Sequence, residues 1–214
     1  MFGFVINDIL DFKKDAAAGV RRPIAMGSLS RKVALMFAIF LLLVAYLLSL
    51  RVGAGGGVLV VTVIGLVLYT PSARRLPLLK DLFVAGLCVS PLYYASVVSC
   101  GNASWAAYAV LALFVLGRET LMDAHEIAGD RQAQMRTIAV VLGQPAARRL
   151  GTAMMIVSLT CLNLVARGVV GKTAAMGSVV SLLCVLLWPG VDEGRRISIS
   201  RVPMLAAAVA VATG

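Results

Sequence analysis

The chain is poor in charge and poorer in acid. Of its 214 residues 14% are charged, and only 10 are Asp or Glu. A soluble domain carries roughly a quarter charged residues, so an ordinary water-soluble globular protein is excluded. Histidine occurs once, at His125, and the four cysteines, Cys88, Cys100, Cys161 and Cys184, form no close CxxC pair. That removes a zinc site and a disulfide framework. The cysteines lie in or beside apolar runs and read as small buried hydrophobes. Residues 1–6 are too short for a signal peptide or a span and read as the tail of a helix.

Apolar sequence is abundant: 60% of residues are hydrophobic, with a mean hydropathy of +0.94. Runs recur at residues 33–50, 58–70, 82–98, 105–116, 151–165, 174–188 and 203–213. With their small or polar flanks most approach the ~20 residues of a spanning helix. Only helices or closed barrels satisfy their backbone inside lipid. The expectation is an all-α, polytopic transmembrane bundle of about seven full spans, with the end of an eighth helix at the N-terminus.

A net charge of +10 could suggest nucleic acid, but topology accounts for it without such a partner. With the runs threaded in order, all but Arg51, Arg167 and Lys172 of the 20 Lys and Arg residues fall on one side. By the positive-inside rule that side is cytoplasmic, which places the protein in the cytoplasmic membrane.

The scarce acid is concentrated. Asp8, Asp11 and Asp15 are spaced i, i+3, i+7, and so are Asp123, Glu126 and Asp130. On a helix these offsets share a face, and both clusters fall on the cytoplasmic side. One Asp at a membrane surface is usually a solvated helix end. Six at matched spacing in so apolar a chain call for a counter-charge. Opposed carboxylate faces suit Mg²⁺, which normally also binds substrate phosphates. Lys14, Arg21, Arg22, Arg74 and Lys80 can reach phosphate oxygens, although each could equally anchor the chain to headgroups. A diphosphate site at the cytoplasmic mouth of an apolar bundle points to an isoprenyl diphosphate. Tyr69 could be an interfacial belt residue. His125, off the acidic face, reads as a loop residue or a partner of a ligand.

Asn7-Asp8-x-x-Asp11-x-x-x-Asp15 followed by Arg22-Pro23-Ile24 resembles the first signature of the UbiA-type intramembrane prenyltransferases. Asp123-x-x-Glu126-x-x-Gly129-Asp130, preceded by Arg118-Glu119 and followed by Thr137 and Gly143, resembles the second. Tyr69-Thr70-Pro71 with Arg74 and Arg75 resembles the connector between them. The likeness in motifs covers residues 1 to about 145. The family has nine transmembrane helices around a cavity. The resemblance therefore implies that residues 1–214 form a single membrane-embedded domain matching the family from the end of its second helix onward. Three positions depart from the family pattern. Glu126 replaces an Asp, Gln134 a common Gly, and Arg74 a Lys.

The implied reaction is ionisation of an allylic prenyl diphosphate, followed by attack of an acceptor, expected to be an aromatic ring. Two Mg²⁺ ions are implied. Asn7, Asp8 and Asp11 would hold one, with Asp15 in support, and Asp123, Glu126 and Asp130 the other. Asn7, Lys14, Arg22, Arg74 and Lys80 would bind the diphosphate. Asp8, Asp11, Asp123, Asp130 and Tyr69 would be the catalytic set. Membrane lipid is the remaining partner. A phosphotransferase joining an alcohol to a phosphatidyl group would carry its acids in one cluster, and a soluble prenyl synthase is excluded by hydropathy. The rival from another class is a non-catalytic paralogue that binds lipid or a partner subunit.

Overall fold

A computed structural model describes residues 2–17, 21–51, 57, 59–66, 76–98, 104–132, 134–166, 168–187 and 192–212. The described structure is helical: α1 (Phe2–Ala17), α2 (Arg31–Ser49), a helical stretch at 59–66, α3 (Leu79–Val98), α4 (Trp105–His125), α5 (Ile127–Gln132), α6 (Ile138–Leu142), α7 (Gln144–Val165), α8 (Gly168–Leu187), α9 (Glu193–Ile199) and α10 (Arg201–Ala212). Local chemistry sets the boundaries. Ser30 caps α2, its hydroxyl accepting from Val33 N at 3.3 Å, as its place before the apolar run predicts. The turn at 23–27 ends on Gly27 at φ 72°, a left-handed conformation natural to glycine.

Among the described residues three helices are long and apolar enough to cross a membrane: Arg31–Ser49, Trp105–His125 and Gly168–Val185. Seven full spans were expected. The remaining runs lie on helices that are shorter or have polar ends, or fall partly outside the described residues. Lys80 and Asp81 stand in the first turn of α3, Arg148 and Arg149 in the second turn of α7, and α10 has 12 residues. The run at 58–70 lies partly outside the described residues. The N-terminal segment, read as a helix tail, is the first part of the 16-residue α1.

Helix α4 is the hub. It packs most extensively on α7 and also meets α3, α6, α9 and α10, while α8 packs on α10 and α1 on α2. Phe114 of α4 and Met155, Leu159 and Leu162 of α7 are fully buried in the core between them. Ser158 adds a hydrogen bond to Val110 O at 2.6 Å across that contact. The closest approach is at Gly117 and Gly151, where a Cβ on either would stand 2.6 Å from the other's carbonyl oxygen. Small residues of this kind let membrane helices approach backbone to backbone.

The cysteine expectation needs correction. Cys88 and Cys184 are exposed on the chain rather than buried, Cys161 is intermediate, and Cys100 lies outside the described residues. All three described cysteines are free. Apolar surface directed at lipid has no need to be inside the bundle.

Candidate functional site

The first cluster runs from the middle of α1 to its C-terminal end. Arg22, just past the end of that helix, bridges its carboxylates: Nη1 donates to Asp8 Oδ1 at 2.7 Å and lies 3.1 Å from Asp15 Oδ2. Seven residues separate Asp8 from Asp15, so one guanidinium nitrogen reaches both only because they share a helix face. The Oδ1 atom of Asn7 is buried without a hydrogen-bond partner. Arg31 at the start of α2 stacks over Phe12, 4.3 Å from the ring centroid, which ties the clustered end of α1 to the N-terminal end of α2.

The second cluster is divided by a helix break. Asp123 is in the last turn of α4 and Asp130 in α5; they are 3% and 1% exposed. Glu126 caps α4 at φ −95°, ψ 12° and is exposed. The expected single helix face for Asp123, Glu126 and Asp130 is therefore broken: the chain bends at Glu126 and turns it out. The Ala124 carbonyl, left over at the break, accepts from Gln144 Nε2 at 2.8 Å, so the start of α7 caps the end of α4.

Around Asp123 the structure assembles groups from two helices. Lys80 of α3, itself buried, forms an ion pair and hydrogen bond with Asp123 Oδ1. Asp81, fully buried, lies 3.9 Å from Lys80 Nζ, and neither of its carboxyl oxygens has a hydrogen-bond partner. Burial, reinforced by the neighbouring Asp123 charge, pushes the Asp81 carboxyl up to about 8 against the pull of Lys80. Arg118 and Glu119, one turn back along α4, pair at 2.8 Å. Sequence reasoning missed Asp81. The available signal was a fourth location for scarce acid, at the head of an apolar run beside Lys80.

Tyr69 and Arg74 lie outside the described residues, as does the side chain of Lys14. Lys80 meets Asp123 and Arg22 meets Asp8 and Asp15, as the charge pattern suggests. Helix α1 makes its main contacts with α2, and among the described residues no three His, Cys, Asp or Glu side chains are grouped to hold a metal ion. Each half nevertheless offers hard oxygen donors, and Asp123 Oδ2 is buried with no hydrogen-bond partner. Such a donor set fits Mg²⁺, which commonly takes one or two carboxylates, water and substrate phosphates rather than an all-protein cage.

Below the charged end, two apolar cavities are lined by described residues of α2, α3, α4 and the 57–66 region. The larger, about 590 Å³, lies between residues 57–62, α3 and α4 and is lined by Val61, Gly86, Tyr93, Tyr108, Ala109 and Ala112 among others. Its far end is aromatic. Tyr93 meets Tyr108 edge-on at 6.0 Å and Trp105 at 4.9 Å, and the Tyr108 hydroxyl is tied to Ser96. Ala109 and Ala112 lie on the stripe of α4 that continues through Leu116 and Glu119 to Asp123. Ala112 is about 16 Å from Asp123 along the helix, and Gly86 about 9 Å from Lys80. The smaller cavity, about 360 Å³, is lined by residues from α2, the 59–66 stretch and α3, including Ala45, Leu48, Leu59 and Tyr94. Both cavities touch Thr62 and Ser90. Helices α2 and α3 meet the smaller one beyond their midpoints. Their starts, Arg31 beside α1 and Lys80 beside Asp123, therefore lie at the same end relative to it.

Two signature residues hold shape. Thr137 is buried and caps α6, its hydroxyl accepting from Val140 N at 3.4 Å, and Gly143 joins α6 to α7 at φ 84°. Gln134, where glycine is common in the family, has φ 54°. A left-handed conformation costs a side-chain-bearing residue about 1–2 kcal/mol. Gln134→Gly is therefore expected to raise stability by up to about 1 kcal/mol after the entropy of a glycine is counted, read as a higher thermal midpoint in detergent; an unchanged or lower midpoint would contradict the strain.

The sequence profile of the UbiA prenyltransferase family matches residues 1–206, well beyond the reach of the recognisable motifs. Similar relatives include digeranylgeranylglyceryl phosphate synthases from Thermococcus sibiricus (28% identical; 74% of this chain, 57% of the relative), Natronomonas pharaonis (31%; 66% and 52%) and Sulfolobus acidocaldarius (30%; 66% and 53%). The chain thus spans about half the length of the curated relatives it matches. A solved structure described as digeranylgeranylglyceryl phosphate synthase in membranes shares the fold with a TM-score of 0.66 at 19% identity, over 99% of this chain and 81% of that one. With helices suited to cross a bilayer and a family match over nearly its whole length, this membrane protein belongs to the UbiA prenyltransferase family.

Proposed function

We propose that the chain transfers a prenyl group from an allylic diphosphate to a prenylated glyceryl phosphate, with the charged end facing the cytoplasm. The carrying observation is the stripe of α4 that ends in buried Asp123, held by Lys80, and runs down into an apolar cavity of about 590 Å³, within the roughly 300–1,000 Å³ usual for ligand sites. A diphosphate head and a hydrocarbon tail match those two ends. The aromatic acceptor expected from family resemblance gives way to a glyceryl phosphate lipid, because the similar relatives are named for that product.

Asp8, Asp11 and Asn7 on one side, and Asp123 and Asp130 on the other, would hold Mg²⁺, with Asp15 as support. Exposed Glu126 would reach in only from the rim. When bound, Mg²⁺ supplies positive charge where the leaving pyrophosphate becomes more negative. The protein's own cations add to that. Lys80 and Arg22 are pre-set against carboxylates and can turn to phosphate oxygens, strengthening as charge develops. The C–O bond of the donor breaks with its electron pair going to pyrophosphate. The allylic cation is kept from water by the apolar walls. An acceptor hydroxyl oxygen forms the new C–O bond, and its proton leaves with pyrophosphate. Lys14, Arg74 and Tyr69 are retained as diphosphate and cation contacts on family resemblance.

The test is pyrophosphate release from geranylgeranyl diphosphate with geranylgeranylglyceryl phosphate as acceptor. Release is expected to stop on chelation by EDTA and to return with added Mg²⁺. Binding of the diphosphate with no release under any condition would support the non-catalytic, lipid-binding reading instead.

A further inference from the structure

Asp81 has no part in the reaction described above, yet its burial is costly. It is fully buried in the first turn of α3, and neither carboxyl oxygen has a hydrogen-bond partner. Buried polar groups in native proteins are nearly always satisfied, and each exception calls for an explanation. A carboxylate near a helix start is ordinarily held by backbone N–H groups, but none reaches this one. The cation beside it is Lys80, whose Nζ is 3.9 Å from Asp81 Oδ1.

Lys80 faces a conflict. Its ammonium is bonded to Asp123 Oδ1, while Asp123 Oδ2 is buried with no hydrogen-bond partner. Asp123 is also a carboxylate assigned above to Mg²⁺. A divalent ion and an ammonium on one carboxyl group repel each other strongly at that range. Lys80 is itself buried, so it cannot retire to water, and an ammonium stranded inside the protein is strongly unfavourable. Glu119 is already engaged by Arg118 at 2.8 Å. Asp81 is open: its oxygens are unclaimed, and one is a short swing of a flexible side chain away. We infer that Asp81 is a positioning residue that receives Lys80 when Asp123 turns to a metal ion, keeping the ammonium paired and close to the diphosphate. This rests on the metal role given to Asp123 and adds a carboxyl that never touches substrate.

Mn²⁺ suits the same oxygen ligands as Mg²⁺, and electron paramagnetic resonance follows its binding to the full chain in lipid nanodiscs without turnover. Asp81→Ala is expected to weaken Mn²⁺ binding about ten-fold, the scale of one hydrogen bond to a charged group. Lys80 then lacks its second acceptor and holds Asp123 against the ion. The thermal midpoint should stay level or rise, since two unsatisfied buried oxygens are gone. A lower midpoint with unchanged Mn²⁺ binding would make Asp81 a structural residue and overturn the inference. Asp81→Asn keeps an oxygen acceptor of similar shape and should recover part of the affinity; binding as weak as in Asp81→Ala would count against a handover. Lys80→Met is the deciding background. With no ammonium to hand over, adding Asp81→Ala should leave Mn²⁺ affinity where Lys80→Met puts it. The same ten-fold loss there would reduce Asp81 to a nearby negative charge and refute the handover. Mn²⁺ binding unaltered by Asp123→Ala would instead defeat the metal assignment beneath the inference. Pyrophosphate release by Asp81→Ala should return toward the parent rate at saturating Mg²⁺, and a loss that persists there would also overturn the handover.

Discussion

Asp123→Ala is expected to abolish turnover and to destabilise the protein at the same time. Lys80 is buried and directs its ammonium group to Asp123. Removing one partner of a buried pair costs about 3–5 kcal/mol, chiefly because the remaining charge is stranded. The low end applies, since Asp81 is 3.9 Å from the same nitrogen and can ionise to take over in part. The chemical loss should be at least about a hundred-fold, as for other groups that stabilise developing charge. The double variant Lys80→Met with Asp123→Ala removes the stranded charge and so tests the stability effect. Its thermal midpoint should recover toward that of the parent, while pyrophosphate release stays absent. Recovered turnover in the double variant would mean that Asp123 serves folding alone.

Arg22→Ala should show the opposite profile, a large functional loss with little change in stability. Its side chain is 38% exposed, and such pairs contribute about 0–1 kcal/mol. The midpoint should therefore move little, whereas kcat/KM for the prenyl diphosphate should fall about a hundred-fold through loss of a phosphate-directed cation. A second readout follows from the geometry. Arg22 neutralises Asp8 and Asp15 before substrate arrives. Without it, the Mg²⁺ concentration for half-maximal rate should fall, because a competing cation has gone. A rise in that concentration would place Arg22 among the supports of the metal site rather than opposite it. Arg22→Lys should restore part of the rate.

The contrast between these variants shows what could and could not be read from the chain alone. Charge spacing along one helix is local, so the shared face of Asp8 and Asp15 was legible in the sequence. The outward turn of Glu126 was not. It accompanies a bond from Gln144, 20 residues on, to the Ala124 carbonyl, and no short window of sequence contains that contact. Asp81 was hidden for a similar reason. Next to Lys80 it reads as a solvated helix start, and only the packing of α3 on α4 makes it a fully buried carboxyl. Gln134 is an intermediate case. The departure from glycine was visible, but its cost required a backbone angle. Of the seven expected spans, three are recognisable by length and composition among the described residues. The cysteines were misplaced because an apolar run does not say whether a given residue looks into the bundle or out toward the acyl chains.

The glycine crossing has a mechanical implication. With backbone touching backbone at Gly117 and Gly151, and Phe114 and Met155 interlocked beside them, α4 cannot slide along α7 or rotate against it without driving side chains through main chain. Asp123 therefore stands on a fixed post. Relative to that post the outer helices α1, α2 and α3 are the less constrained elements, and on the proposed reading any opening of the head site falls to them.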